Sequence, residues 1–172
     1  MNTYLASGTY DFLVKKYAAQ IDQQTLIAMQ VMGSDSALLV HETTAPSIFA
    51  APRKYETAES KGDFSGKRYA VMNHIPVTDE HKPLFEQNIK RSLEQLGQQI
   101  SAYRFLRPVK GDTFIILSLW AERRDFIIWK QKHLSPDSPI TGDPTNGGIF
   151  QHTMFNGKAY LLELTIAEKG AL

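Results

Sequence analysis

One asparagine lies in an otherwise apolar stretch of the chain and is a candidate ligand-facing group. The stretch Tyr69-Ala-Val-Met-Asn-His-Ile-Pro-Val77 alternates, so that Asn73 shares one strand face with Val71 and Ile75. A carboxamide on an apolar face costs free energy unless it finds a hydrogen-bonding partner. Asn73 is therefore either a ligand-facing amide or an amide bonded to nearby backbone. His74 has the opposite parity and should face the other way.

A predicted helix at 122–133 carries an aromatic pair and a histidine on one face. Phe126, Trp129 and His133 recur at spacings of three and four residues. The aromatic pair is ordinary core under one interpretation, and Trp129 contacts a ligand under the other. His133 falls in the last turn, where the helix dipole favours a histidine.

Other site patterns are weak. The chain has no glycine-rich phosphate loop and no G-x-S-x-G elbow. The stretches His41-Glu42 and Asp79-Glu80-His81 contain metal-capable side chains, but their spacing matches no familiar metal site, so we predict none. Arg104 and Arg107 lie among aromatic residues on one short strand, and we interpret them as a solvated face rather than a nucleic-acid surface.

Composition excludes several functional classes. The 172 residues carry a net charge of +1, so no general field attracts nucleic acid or anionic lipid. The absence of cysteine excludes disulfides and thiolate chemistry. No apolar run approaches the roughly 20 residues of a transmembrane segment, and the N-terminus lacks the order of a signal peptide. We expect a cytoplasmic protein.

The second part of the chain has the clearer element pattern. Strands are predicted at 69–77, 101–107, 113–120 and 158–166. One helix follows residues 78–80, has Pro83 in its first turn and stops at Gly97; the second is 122–133. A loop rich in proline and glycine fills 134–148. This β-α-β-β-α-β order is the ferredoxin-like arrangement.

The first part reads as a shorter version of the same order. Strands are predicted at 3–7, 25–32, 37–43 and 47–51, with a helix at 9–19, and the polar residues 52–67 are predicted to form a linker. Residues 113–120 are apolar on both faces, so the second face of their sheet needs another sheet. That sheet comes from residues 1–65 or from a second copy. We predict two halves, 1–65 and 66–172.

Five segments resemble a known superfamily, namely Tyr69–Val77, Lys82–Glu86, Arg104–Pro108, Thr113–Trp120 and Asp125–Lys130. They resemble Isd-type heme-degrading monooxygenases of the antibiotic-biosynthesis-monooxygenase superfamily, especially the longer Bacillus-type members. The added N-terminal region of those members is similar to Gly8–Leu13 and Leu39–Thr43. The two-part layout also resembles the family of the staphylococcal target of RNAIII-activating protein. The resemblance implies an α+β fold of the ferredoxin-like dimeric α+β barrel type, here a pseudo-dimer in one chain.

The resemblance also implies a site. In Isd-type enzymes heme is both cofactor and substrate and lies between the helices and the sheet. Asn73 matches the asparagine that hydrogen-bonds an oxygen species, and Trp129 matches the tryptophan that distorts the porphyrin. The family's iron-ligating histidine lies ten residues after that tryptophan, where this chain has Pro139.

Replacement ligands for the iron are few. His133 and His152 are the candidates, and Tyr103 and Tyr160 are further possible axial ligands. His133 is displaced by six residues from the family position, or about 9 Å along a helix.

Three functions follow from the resemblance. The first is oxygen-dependent heme cleavage. The second is a non-catalytic member that acts in stress response or signalling, or binds a small ligand; it predicts a small or collapsed pocket beside Asn73. The third is a cofactor-independent monooxygenase, which needs no iron ligand. The expected partner is a small hydrophobic or porphyrin-like ligand, and the chain is expected to be a monomeric pseudo-dimer or a homodimer.

Overall fold

In the computed structural model, the described residues form eight antiparallel strands closed into a barrel, with four helices outside it. It describes residues 1–133, 138–140, 142–146 and 152–167. The strands are β1 (Asn2–Thr9), β2 (Ile27–Val31), β3 (Ser36–Thr43), β4 (Arg53–Lys61), β5 (Tyr69–Pro76), β6 (Ala102–Pro108), β7 (Thr113–Trp120) and β8 (Tyr160–Ile166). The helices are α1 (Tyr10–Lys16), α2 (Ala18–Asp22), α3 (Lys82–Leu96) and α4 (Arg123–Lys132). Short 3₁₀ turns span Asp79–His81, Gly97–Gln99, Pro144–Asn146 and His152–Met154.

The barrel consists of two copies of one strand order. The first four strands lie in the order β4-β1-β3-β2, and the last four lie in the order β8-β5-β7-β6. Pairing of β2 with β8 and of β4 with β6 joins the two sheets at both edges. The predicted α+β ferredoxin-like pseudo-dimer within one chain is therefore confirmed. The division into 1–65 and 66–172 stays a prediction.

Each face of the second sheet has its own core, as the apolar sequence of β7 predicted. Ile115, Leu117 and Leu119 point into the barrel, where they meet residues of both halves such as Leu5 and Val40. On the opposite face Phe114, Ile116 and Trp120 pack beneath α3 and α4. A separate core, including Leu13 and Leu39, joins the first sheet to α1.

The two long helices follow their sequence signals. Helix α3 has its proline at the start and buries Phe85, Ile89 and Leu93 against the sheet. At the start of α4 the Asp125 carboxylate accepts the backbone N–H of Glu122 at 3.1 Å. None of the helices in the described part of the chain combines the length and the apolar composition of a membrane span.

The prediction for residues 47–67 was wrong in two respects. Residues 47–51 form bends rather than a strand, and much of the predicted linker is β4. The described residues between β3 and β4 contain no helix, so in this part of the first half no helix precedes β4 as α4 precedes β8. The outward side chains of β4, such as Lys54 and Glu56, are exposed and polar, so the strand lacks an apolar signature. The predicted helix 9–19 is also divided, into α1 and α2, at Tyr17.

Candidate functional site

Asn73 is fully buried on the helix-covered face of β5. Its side-chain nitrogen donates to the carbonyl of Pro139 at 2.6 Å and to the carbonyl of Gly142 at 3.1 Å. Its side-chain oxygen is buried and has no hydrogen-bond partner among the described residues. The predicted strand face is correct, and the partner of the amide is backbone that follows α4.

We call residues 138–140 and 142 the closing segment, because two of their backbone carbonyls accept the hydrogen bonds of the Asn73 amide. The Gly142 N–H donates to the Ser138 carbonyl at 2.8 Å, which makes the segment a tight turn. Ile140 is 1% exposed and belongs to the same core cluster as Trp129. The closing segment is therefore anchored by two hydrogen bonds to β5 and by one buried apolar side chain.

Trp129 lies on the inner face of α4 and is 4% exposed. Its ring centroid is 5.6 Å from that of Trp120, and the His133 ring stacks against it at 4.6 Å. Its indole nitrogen is buried and has no hydrogen-bond partner in the part of the chain that the structure describes. Trp120 and Trp129 also border a surface cavity of about 280 Å³.

His133 ends α4, as its position in the sequence predicted. Its backbone N–H contacts the Trp129 carbonyl at 3.1 Å and the Lys130 carbonyl at 3.2 Å. Its ring nitrogen Nδ1 lies 2.9 Å from the same Trp129 carbonyl. One ring nitrogen of His133 thus contacts a backbone carbonyl in the last turn of α4. His152 begins a 3₁₀ turn, and its side chain lies outside the described residues.

The structure separates the remaining candidates between the two faces of the sheet. His74 points into the barrel, as its parity predicted, and stacks on Tyr160 with ring centroids 4.3 Å apart. Burial, followed by the charge of Arg53, lowers the pKa of His74 to about 4. Tyr160 therefore lies across the sheet from Asn73, whereas Tyr103 packs partly buried on the helix side.

The interpretation of Arg104 as part of a solvated face was wrong. Arg104 is 6% exposed, and its Nε donates to the Glu42 carboxylate at 2.6 Å. It also donates to the carbonyls of Lys61 and Tyr103, both at 2.9 Å. Its strand neighbours on the same face, Ala102 and Leu106, line the barrel interior, and this alternation was the missed signal.

Arg107 points out of the barrel and is partly exposed. It pairs with Glu86 of α3 and with Glu56 of β4, the latter at 3.0 Å. The hydrogen bond to Glu86 is the largest cause that raises the pKa of the Arg107 guanidinium. The charge of Glu86, and the hydrogen bond and charge of Glu56, raise this pKa further, whereas burial lowers it. Arg107 thus links the second half to the strand that closes the barrel.

As arranged, these residues do not fit a heme. Both donors of the Asn73 amide are directed at backbone carbonyls. The residue at the position of the Isd-type iron ligand is Pro139, and its backbone carbonyl accepts a hydrogen bond from Asn73. Ile140 packs within the core that includes Trp129. The site holds a buried amide and a buried indole in a core that the chain itself completes.

Comparisons with known proteins agree with this fold. No family model matches the chain. The signal transduction protein TRAP of Staphylococcus aureus (strain MSSA476) is 29% identical over 143 residues, which cover 78% of this chain and 83% of that protein.

Two solved structures from Listeria monocytogenes are similar over nearly the whole chain. One is a ferredoxin-fold protein related to antibiotic biosynthesis monooxygenases, with a TM-score of 0.72 and 21% identity, covering 97% of this chain and 94% of that one. The other is the heme-degrading enzyme LmHde, with a TM-score of 0.64 and 19% identity, covering 94% and 98%. This chain therefore has the ferredoxin-like fold of proteins related to antibiotic biosynthesis monooxygenases, and in sequence it resembles the staphylococcal signal transduction protein TRAP.

Proposed function

We propose that this chain is a non-catalytic member of its fold group that acts in signalling or stress response by binding, and that it does not cleave heme. The observation that carries the proposal is the Asn73 amide, whose two donors bind the carbonyls of Pro139 and Gly142. A heme monooxygenase of the Isd type needs that amide to face the oxygen on iron. In this chain the amide holds the chain's own backbone.

The energy that holds the closing segment opposes a ligand at Asn73. A net hydrogen bond contributes about 0.5–1.5 kcal/mol, so the two bonds contribute roughly 1–3 kcal/mol. Exposing Ile140 to water adds about 1.5–3 kcal/mol. A ligand that displaces the segment would lose the sum of these terms from its affinity, which is a factor of at least about 60.

The residues at the iron-ligand position support the same proposal. Pro139 has no side-chain donor for a metal, and its backbone carbonyl is bonded to Asn73. His133 stands at the end of α4 with Nδ1 against the Trp129 carbonyl. The sequence relative that is named as a signal transduction protein is consistent with a role outside oxygen chemistry.

Oxygen-dependent heme degradation is the second candidate. It is favoured by the placement of Asn73 and Trp129 toward one core. The Oδ1 atom of Asn73 and the Nε1 atom of Trp129, which are buried without a hydrogen-bond partner among the described residues, also favour it. The similar structure of a heme-degrading enzyme adds to it. This function requires the closing segment to leave Asn73. A cofactor-independent monooxygenase would need the same opening but no iron ligand.

Absorbance titration with hemin separates these candidates. For the purified chain we expect no saturable Soret band, and no loss of hemin absorbance after a reductant and oxygen are added. Asn73→Ala and the exposed-site control Asn156→Ala should give the same hemin spectra as the unaltered chain. A saturable band that turns over, and that Asn73→Ala but not Asn156→Ala abolishes, would establish heme degradation instead.

Oxygen uptake is the second readout. Uptake with an aromatic substrate in metal-free buffer, lost in Trp129→Phe, would support the cofactor-independent enzyme. We expect uptake to stay at the level of buffer.

A further inference from the structure

One end of the barrel contains a cavity that is separate from Asn73. Its volume is about 760 Å³. It lies where β2 and β5 begin and where β3 and β8 end, and its apolar wall is formed by Leu26, Ile27, Val40, Phe64 and Ile166. Ligand sites of about 300–1,000 Å³ occur in the mouths of β-barrels. We call this cavity the barrel mouth.

Among the described residues, one carboxylate, that of Glu42, faces the barrel mouth from the inside of the barrel. Glu42 lines the cavity with 21% of its side chain exposed, whereas Arg104 behind it is 7% exposed. Arg104 binds Glu42 through Nε and Nη2, and its Nη1 binds two backbone carbonyls. A carboxylate has about four acceptor positions. Glu42 therefore keeps acceptor capacity for a hydrogen-bond donor that enters the cavity.

A loop between β4 and β5 forms one side of the barrel mouth. The Phe64 side chain packs against the barrel-interior core, and the Arg104 guanidinium lies 5.2 Å from its ring centroid. Gly62 begins the loop with a φ of +65°, and a Cβ there would meet the Ser101 carbonyl at 2.2 Å. The loop is thus held against the barrel at Gly62 and at Phe64.

The charges of the described residues around the barrel mouth are balanced. Asp22, Glu42 and Asp63 line it, together with Lys67 and Arg68. Arg104, paired with Glu42, supplies the third positive charge. A ligand with a net charge would disturb this balance in a partly enclosed space, where charges interact more strongly than in water. Charge complementarity favours an uncharged ligand.

We propose that the barrel mouth binds a small uncharged amphiphile, with an apolar ring body against Phe64, Ile27 and Val40 and a hydroxyl that donates to Glu42. The site goes beyond the proposed function and does not depend on the closing segment, because it lies at the end of the barrel rather than beneath α4. A negative result for the barrel mouth would not change the result expected of the hemin titration.

The probe is 2-naphthol, whose fluorescence reports its surroundings, with two matched analogues. We expect saturable binding of 2-naphthol to the full chain. The methyl ether 2-methoxynaphthalene, which lacks the donor, should bind about tenfold or more weakly, as expected for a lost hydrogen bond to a charged acceptor. The anion 2-naphthoate should also bind at least about tenfold more weakly. Absence of saturable 2-naphthol binding, or equal affinity for all three compounds, would overturn the proposal.

Two isoleucine substitutions locate the site. Ile27→Trp fills the barrel mouth without removing a charge, and we expect it to weaken 2-naphthol binding by more than about tenfold. Ile48→Trp changes an isoleucine that is 47% exposed and is not a lining residue, so it should bind like the unaltered chain. Thermal unfolding confirms that each variant is folded. Unchanged binding in Ile27→Trp would refute this location, whatever the affinity of the probe.

Discussion

Replacing Asn73 tests directly whether the closing segment is held as described. Asn73→Ala removes two donors, at 2.6 Å and 3.1 Å from the carbonyls of Pro139 and Gly142. At about 0.5–1.5 kcal/mol for each net hydrogen bond, we expect the free energy of unfolding to fall by roughly 2 kcal/mol. Because these bonds anchor the turn, the Gly142 N–H should also exchange faster with solvent.

Asn73→Asp has nearly the same shape and gives a sharper version of the test. At neutral pH its carboxylate oxygen would face two carbonyl oxygens in a fully buried position, so it should destabilise the fold by more than Asn73→Ala does. Burial raises the pKa of such an aspartic acid above its unfolded value, so the folded state binds more protons. The loss of stability in Asn73→Asp should therefore grow as the pH rises from the unfolded pKa of this aspartic acid to its higher folded pKa.

Urea unfolding followed by tryptophan fluorescence, together with hydrogen exchange at residues 138–142, measures both effects. Asn156→Ala is the matched control, because Asn156 is exposed and donates only to the Asp112 carboxylate at 3.0 Å among the side-chain bonds described. It should change stability by less than about 0.5 kcal/mol. If Asn73→Ala behaves like this control, and exchange at Gly142 is unchanged, the anchoring argument fails.

Three further predictions concern buried polar groups. His74 is buried with its pKa lowered from 6.5 to about 4, so the unfolded chain binds the extra proton in that range; stability should fall by about 3 kcal/mol between pH 6.5 and pH 4, and His74→Leu should flatten this pH profile in urea unfolding. Arg104→Ala leaves the Glu42 carboxylate without its partner and should cost about 3–5 kcal/mol, while the double variant Arg104→Ala/Glu42→Ala should cost less than the sum of the single changes in the same assay. Burial, and then the hydrogen bond to Glu163, raise the pKa of Tyr69. A spectrophotometric titration should therefore show one tyrosine that ionises at a higher pH than the others, and this step should be absent in Tyr69→Phe.

The second half was predictable because its elements carry strong local signals. The bounds of β7 were predicted to the residue, since a mostly apolar strand between a turn and a helix leaves few alternatives. The orientations of Asn73 and His74 followed from simple alternation. Strand β4 was missed because its pairing partners, β1 and β6, are far away in sequence and its outer face is polar.

The partners of the site residues were not predictable in the same way. No local pattern shows that the carbonyls of Pro139 and Gly142 meet Asn73, because backbone acceptors have no sequence signature. The pairing of Glu42 with Arg104 joins strands β3 and β6, which are not neighbours in the barrel. The alternation of β5 predicted the faces of Asn73 and His74 but not the groups that those side chains contact.

Closure of the barrel by β2–β8 and β4–β6 has a consequence for assembly kinetics. In a barrel made from two chains, the corresponding seams form by association, so their stability depends on protein concentration. Here both seams join parts of one polypeptide, and tethering replaces a second-order encounter with a first-order step. The strands β2 and β8 pair although five other strands of the barrel lie between them along the chain. Closure within the chain should therefore be independent of dilution but slow, because it depends on contacts between segments that are far apart in sequence.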